Sequence, residues 1–275
     1  MRPLINYITL SKKIIAVIAM TSSLVTLYSF FIKPVDFTPI EGFLFLLILM
    51  IINLITASIL SLEKSNITLN INSNTKLKVY FGDIGDCENI VVPVNDYFDT
   101  LVSDKVVSKS SIHGQFIKNV FDGKEEELAT LIDKALVNEY FELVNERTVS
   151  RQRRYPLGTT AKISYKGKDY YLVALTKFDS SNKASLDSSE YQIVISKLLT
   201  FIGKHSQGKK VSLPLLGGSA RSGITSLNKQ QKLELLILSM SLTDSLSVDD
   251  GLELVLSKKE RSELSLNSVL QRTLI

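Results

Sequence analysis

A chain of 275 residues has room for one ordinary globular domain and something smaller beside it. Its 32 Lys and Arg exceed its 28 Asp and Glu by four, yet no basic face is dense enough to require nucleic acid. The densest basic run, Arg147 to Arg154, dilutes four arginines with Ser, Thr, Val and Gln. A single cysteine, Cys87, excludes an intrachain disulfide and agrees with a reducing compartment; it reads as a small buried hydrophobe. One Cys and two His leave no metal cluster.

The apolar residues are concentrated at the N-terminus. Ile14 to Ile32 is an uncharged run of nineteen residues between Lys12-Lys13 and Lys33, and Gly42 to Leu62 is another of twenty-one between Glu41 and Glu63-Lys64. At 1.5 Å per residue each would span a hydrocarbon core about 30 Å thick, so residues 1–64 are expected to form a transmembrane hairpin. A signal peptide would be shorter and would not run at once into a second span; a helical hairpin buried in a soluble protein is the other reading. Arg2, Lys12, Lys13, Lys64, Lys76 and Lys78 flank the outer ends, whereas the loop from Lys33 to Glu41 has one Lys and two acids. Both termini of this multi-pass protein are therefore expected in the cytoplasm, which empties the Asn66-Ile67-Thr68 sequon of meaning. Ser22, Thr26 and Ser29 share one helical face, and Asn53 lies within the second span. The hydroxyls either bond their own backbone or form a contact face, between helices or subunits or lining a pore.

From residue 65 the pattern changes. Ile67, Leu69 and Ile71 alternate with polar residues as in a half-buried strand. Short β-rich runs follow at Leu77–Phe81, Ile90–Val94, Tyr170–Leu175, Val211–Leu215 and Leu252–Leu256, with Lys162–Tyr165 pairing to its successor through a Lys166-Gly167 turn. Helical stripes lie between them: Leu128, Leu131, Ile132, Ala135 and Leu136; Tyr191, Ile195, Leu198, Leu199 and Ile202, capped by Asp187; Leu233, Leu236, Ile237 and Met240; and a last helix after Ser257-Lys258-Lys259. Residues 65–275 are thus expected to be an α/β domain, a mixed sheet covered by helices on both faces.

Ligands of such sheets collect at the carboxyl ends of strands. Three ends have suitable residues. The first is Gly82-Asp83-Ile84, where the carboxylate could take an exocyclic amine. The second is Ile90 to Asn95, its Asn able to bond a ribose hydroxyl, followed by Ser110-Ser111-Ile112-His113-Gly114-Gln115. Ser110 or Ser111 could cap the next helix and leave its amides to a phosphate, while His113 suits capping or packing better than catalysis. The third runs from Leu216 through Gly217, Gly218, Ser219, Ala220, Arg221, Ser222 and Gly223. It is either an anion nest with a guanidinium or a flexible turn with a solvated Arg; no Gly-Lys-Ser/Thr makes it a Walker loop. No nucleophile elbow or legible triad points to an enzyme.

In this order the three ends resemble the ligand rim of a macro domain. The resemblance implies that Asp83 and Ile84 meet adenine, that Asn95 lies beside the distal ribose and that Gly217 to Gly223 form the second phosphate loop. The usual triple-glycine first loop is missing and Ser110 to Gln115 stand in its place, so neither the standard pose nor de-ADP-ribosylating activity follows from the resemblance. With two membrane helices, and with Val92 to Thr100 and Ser111 to Phe116, the whole chain resembles the membrane-anchored macro effectors of Thoeris anti-phage systems. That implies a partner TIR-domain enzyme that converts NAD into an ADP-ribose-derived messenger, histidine-ADP-ribose in this branch. It also implies a non-catalytic effector, without cofactor, that binds the messenger through Asp83, Ile84, Asn95, Ser111, His113, Gly114, Gln115 and Leu216 to Arg221, forms a homo-oligomer and disrupts membrane lipid. A membrane-tethered hydrolase of ADP-ribose derivatives is the rival enzyme; a scaffold that binds only protein is the third reading.

Overall fold

The computed structural model describes residues 7–31, 38–60, 62–103, 106–218 and 226–273. The chain divides into two compact units, Met1–Lys64 with Ser265–Ile275, and Ser65–Leu264. The division expected from the sequence, 1–64 and 65–275, differs from this grouping over residues 265–275.

The first unit is built on α1 (Tyr7–Phe31) and α2 (Pro39–Leu60). A reciprocal cap starts α2: Glu41 Oε2 accepts from the Thr38 amide at 3.0 Å and the Glu41 amide donates to Thr38 Oγ1 at 3.4 Å, with Pro39 in the first helical position. Among the described residues one helix, Pro39–Ile59, is long and apolar enough to cross a membrane, at a mean hydropathy of 2.5. A span over Ile14–Ile32 rests on sequence, and its last residue lies outside the described ones.

The two helices meet at a polar pair. Asn53, buried at 4% exposure, donates from Nδ2 to Thr21 Oγ1 at 3.2 Å. Thr21 gives its own proton to the carbonyls of Val17 and Ile18, both at 3.0 Å, which leaves its lone pairs to Asn53. Of the two readings of the Ser22–Thr26–Ser29 face, the backbone-bonded one holds for Thr26. Ser22 and Thr26 are exposed, and the Thr26 hydroxyl is turned back onto the Ser22 carbonyl at 2.9 Å. In the same unit the C-terminal helix, Leu266–Thr273, follows Ser265, whose hydroxyl bonds Glu63, and Asn267 donates to the Leu62 carbonyl at 2.9 Å.

The second unit follows the α/β expectation. Its elements are β1 (Asn66–Asn70), β2 (Lys76–Gly82), β3 (Ile90–Asn95), α3 (Ile112–Val120), α4 (Glu125–Ala135), β4 (Glu142–Leu143), β5 (Arg153–Arg154), β6 (Thr160–Tyr165), β7 (Lys168–Phe178), β8 (Ala184–Ser185), α5 (Ser188–His205), β9 (Val211–Pro214), α6 (Lys229–Ser241) and β10 (Leu252–Ser257). The main sheet runs β1-β2-β10-β9-β3-β7-β6, with β8 on β7, and β4 pairs β5 separately. From β2 to β7 the neighbours are parallel; β1, β6 and β8 add antiparallel edges.

Period-two alternation sends side chains to both faces. Ile90, Val92 and Val94 join Phe116, Ile117, Leu128 and Ile132 in one core, while Tyr171 meets the Phe201 ring of α5 on the other side. The central strand β7 is buried from Tyr170 to Thr176, which is why Tyr170–Leu175 reads as an unbroken apolar run. Local signals agree. Lys166 (φ 50°) and Gly167 (φ 78°) make the two-residue turn between β6 and β7. Asp187 and Glu190 cap α5 reciprocally. Cys87 is buried, as its residue type suggested.

Candidate ligand site

The order of connections locates the site. From β3 the chain crosses through α3 and α4 to β7 on one side; from β9 it crosses through α6 to β10 on the other. The β9–β3 boundary is therefore the topological switch point, where crossovers diverge and leave a crevice at the strand carboxyl ends. The ladder there holds only at Ile90↔Ser212, and Pro93 has no N–H with which to extend it. Because β2, β10, β9 and β3 are parallel neighbours, Asp83, Asn95 and Leu216 to Gly218 all fall at the carboxyl edge of one sheet.

Asn95 ends β3 at 3% exposure. Its Oδ1 accepts from the amides of Tyr97 (3.1 Å) and Asp99 (3.3 Å), and its Nδ2 donates to Asp99 Oδ2 at 2.8 Å. Most of this amide is committed inside the protein; Nδ2 carries a second proton besides the one given to Asp99. Asp99 is wholly buried and paired with Arg147 through both oxygens, at 2.8 and 2.7 Å. The Arg147 guanidinium stacks 3.9 Å from the Tyr97 ring centroid. Next to it Asp96 accepts from Arg154 Nε at 2.8 Å and from the Phe178 amide at 3.0 Å. Burial raises the Asp96 pKa, and Arg154 opposes that rise. Arg151 completes the group by donating to the Tyr97 carbonyl and to Asp133. The arginine run read from sequence as dilute basic surface thus tethers segment 147–154 to the end of β3. Asp96, Asp99 and these arginines had no role assigned from sequence; four arginines within eight residues and two acids directly after a strand were the available signal.

The helix after β3 is capped by Ser111, whose hydroxyl accepts from the Gly114 amide at 3.0 Å and donates to the Ser108 carbonyl at 2.7 Å. Gly114 has no room for a side chain: a Cβ would lie 2.1 Å from the Ser108 carbonyl oxygen. The Gln115 amide bonds the Ser111 carbonyl. His113 is buried at 6% exposure, and its Nε2 has no hydrogen-bond partner. Burial lowers its pKa to about 4, against the pull of the Asp99 charge and backbone carbonyl. At neutral pH it is an uncharged packing group beside the Asn95–Asp99 node.

The end of β9 is shaped through backbone. Tyr191 of α5 donates to the Leu216 carbonyl at 2.9 Å, and the buried Lys232 of α6 donates to the Gly217 carbonyl at 2.9 Å. Burial, helped by Lys229, lowers the Lys232 pKa. Gly217 takes φ +66°, and the Gly218 amide closes a turn on Leu215 at 3.2 Å. A Cβ on Gly218 would stand 3.1 Å from Glu260 Oε1, a carboxylate paired with Lys229 at 3.2 Å. Ser219, Ala220 and Arg221, with Ser222 and Gly223, lie outside the described residues. Asp83 is exposed and caps the turn Ile84–Asp86 by accepting from the Gly85 amide at 3.0 Å; Ile84 is half-buried.

Two cavities lie elsewhere. One of about 560 Å³ opens at the amino ends of β3, β9 and β10, lined by Tyr80, Cys87, Lys210, Ser212 and Glu253 among others. Another of about 430 Å³ lies between Gly158–Thr160 and α5. Neither is lined by Asp83, Asn95, Gly114 or Gly217.

Known proteins agree with this architecture. Macrodomain structures from Oceanobacillus iheyensis superimpose with a TM-score of 0.50 at 13% identity. One is a variant with ADPR, covering 76% of this chain and 96% of that one; another is a structure with ADP, covering 76% and 94%. At that identity they establish the fold alone. In sequence, the chain is 32% identical over 169 residues to the Thoeris protein ThsA of Bacillus amyloliquefaciens (strain Y2). That match takes in 58% of this chain and 53% of the relative, so the chain spans about half the relative's length. Residues 77–257, from β2 to the end of β10, match the family model described as Thoeris protein ThsA, Macro domain, and the chain belongs to that family.

Proposed function

We propose that this protein is an anti-phage effector whose macro domain binds an ADP-ribose-derived messenger at the β3–β9 switch point. The observation that carries the reading is the parting of two parallel strands in a Thoeris macro domain, with Asn95 on one side and Leu216 to Gly218 on the other. The solved macrodomains with ADPR and with ADP supply the ligand class. Asp83 and Ile84 receive the adenine, and the spare Asn95 N–H meets the distal ribose. Ser111, Gly114 and Gln115 with the Leu216–Arg221 segment face the diphosphate, and His113 packs behind them.

On this reading the messenger is histidine-ADP-ribose made by a TIR-domain partner, and the chain needs no cofactor and turns nothing over. The two N-terminal helices cross the inner membrane with both termini in the cytoplasm. Binding drives homo-oligomerisation and membrane disruption, which ends in abortive infection. Ligand must favour one assembly over another, since equal affinity for both would shift nothing.

The test is calorimetry on the full chain in detergent, titrated with ADP-ribose and with histidine-ADP-ribose. Saturable heat with ligand recovered intact supports the reading. No heat with either ligand sinks it, and ligand consumed during the titration replaces the sensor with a hydrolase.

A further inference from the structure

An asparagine amide can face either way, and which way it faces decides whether it offers a donor or an acceptor. Here two backbone amides and a second side chain make the choice together. The backbone amides of Tyr97 and Asp99 both point at Asn95 Oδ1, so Nδ2 must find an acceptor, and Asp99 Oδ2 stands 2.8 Å away. The Asp99 carboxylate is itself immobilised. Arg147 holds both oxygens, at 2.8 and 2.7 Å, and the Arg151 amide adds a third donor to Oδ1 at 3.3 Å. Asp99 is wholly buried and Arg147 is 9% exposed, so solvent does not screen the arrangement.

We infer that Asp99, clamped by Arg147, is a positioning residue that fixes the Asn95 amide with its spare N–H outward and so sets preference for ligands carrying a second ribose beyond the diphosphate. This rests on the ADP-ribose reading above. Two acceptor oxygens face two donors, Arg147 and Asn95, and only a carboxylate satisfies both. An asparagine at position 99 has one acceptor, so one of the two contacts becomes donor against donor whichever way it turns. The Asn95 oxygen then stays on the Tyr97 and Asp99 amides, but its Nδ2 loses the doubly held acceptor that fixed it. The same node anchors segment 147–154, through Arg147 and the Arg151 amide.

The experiment uses the full chain in detergent and two probes, ADP-ribose and ADP, which differ in the distal ribose. Asp99→Asn is expected to weaken ADP-ribose at least tenfold and ADP less than threefold. Arg147→Lys keeps the charge but not the two-pronged grip; it should show the same selective loss to a smaller degree, and it serves where Asp99→Asn does not fold. Adding Asp99→Asn to Asn95→Ala should cost ADP-ribose nothing further, because the two act through one amide. Equal weakening of both ligands, or additive losses in the double variant, overturns the positioning role and leaves the binding reading standing. A wild-type chain that binds neither probe overturns the binding reading and this inference with it.

Discussion

The ends of β3 and β9 face each other across the same switch point and are built with opposite chemistry. At β3 the shape comes from charged side chains: Asp96, Asp99 and Arg147 interlock out of water with the half-buried Arg151 and Arg154 around them, and Asn95 is held by Asp99. At β9 it comes from backbone: the carbonyls of Leu216 and Gly217 are pinned from behind by Tyr191 and Lys232, and glycine takes the left-handed turn. A buried charge without its partner is far more costly than one lost neutral hydrogen bond. The β3 end should therefore be brittle and selective, the β9 end tolerant and graded.

The strongest way to break that contrast is Asp99→Ala, which strands the Arg147 guanidinium. It should cost about 3–5 kcal/mol of stability, measured by denaturant unfolding; a loss under about 1 kcal/mol would mean the network is solvent-screened after all. Gly114→Ala comes next. Its methyl collides with the Ser108 backbone rather than with a movable side chain, so about 2–3 kcal/mol is expected, and unchanged stability would show that the approach of α3 to residue 108 is loose.

His113 gives the contrast a pH signature. Its folded pKa, about 4, lies below the value near 6.5 of an unfolded chain. The unfolded state then binds the extra proton first as pH falls. Stability from this group is complete above about pH 6.5 and is lost between there and pH 4, reaching about 2 kcal/mol at pH 5. His113→Gln should flatten that part of the pH–stability curve; an equally steep variant would place the proton uptake elsewhere. The smallest effect belongs to β9. Tyr191→Phe removes one neutral hydrogen bond and should cost about 1 kcal/mol, with both ADP-ribose and ADP weakened alike because the backbone it supports faces the shared diphosphate. A ribose-selective loss there would erase the distinction between the two sides.

Within the N-terminal unit, sequence indicated where polarity lay and left two uses of it open. Asn53 was correctly singled out as a residue in need of a partner. Its partner is Thr21, one position from the expected face, because helix rotation about the contact is set by packing of both helices and not by the spacing of hydroxyls in one.

The sequence by itself determined the longer strands and helices of the second unit, the Asp187 cap, the Lys166-Gly167 turn, a serine cap at 110 or 111 and the strand ends at Asp83, Asn95 and Gly217, because each depends on periodicity or on residues within a few positions of one another. Only the tertiary structure decided that β3 and β9 become neighbours, that Asp99 meets Arg147 forty-eight positions away and that Lys232 reaches back to Gly217. Those pairings follow from the order of crossovers over the sheet. A charge on an apolar stripe, such as Lys232 beside Leu233 and Leu236, signals that a distant partner exists without saying which.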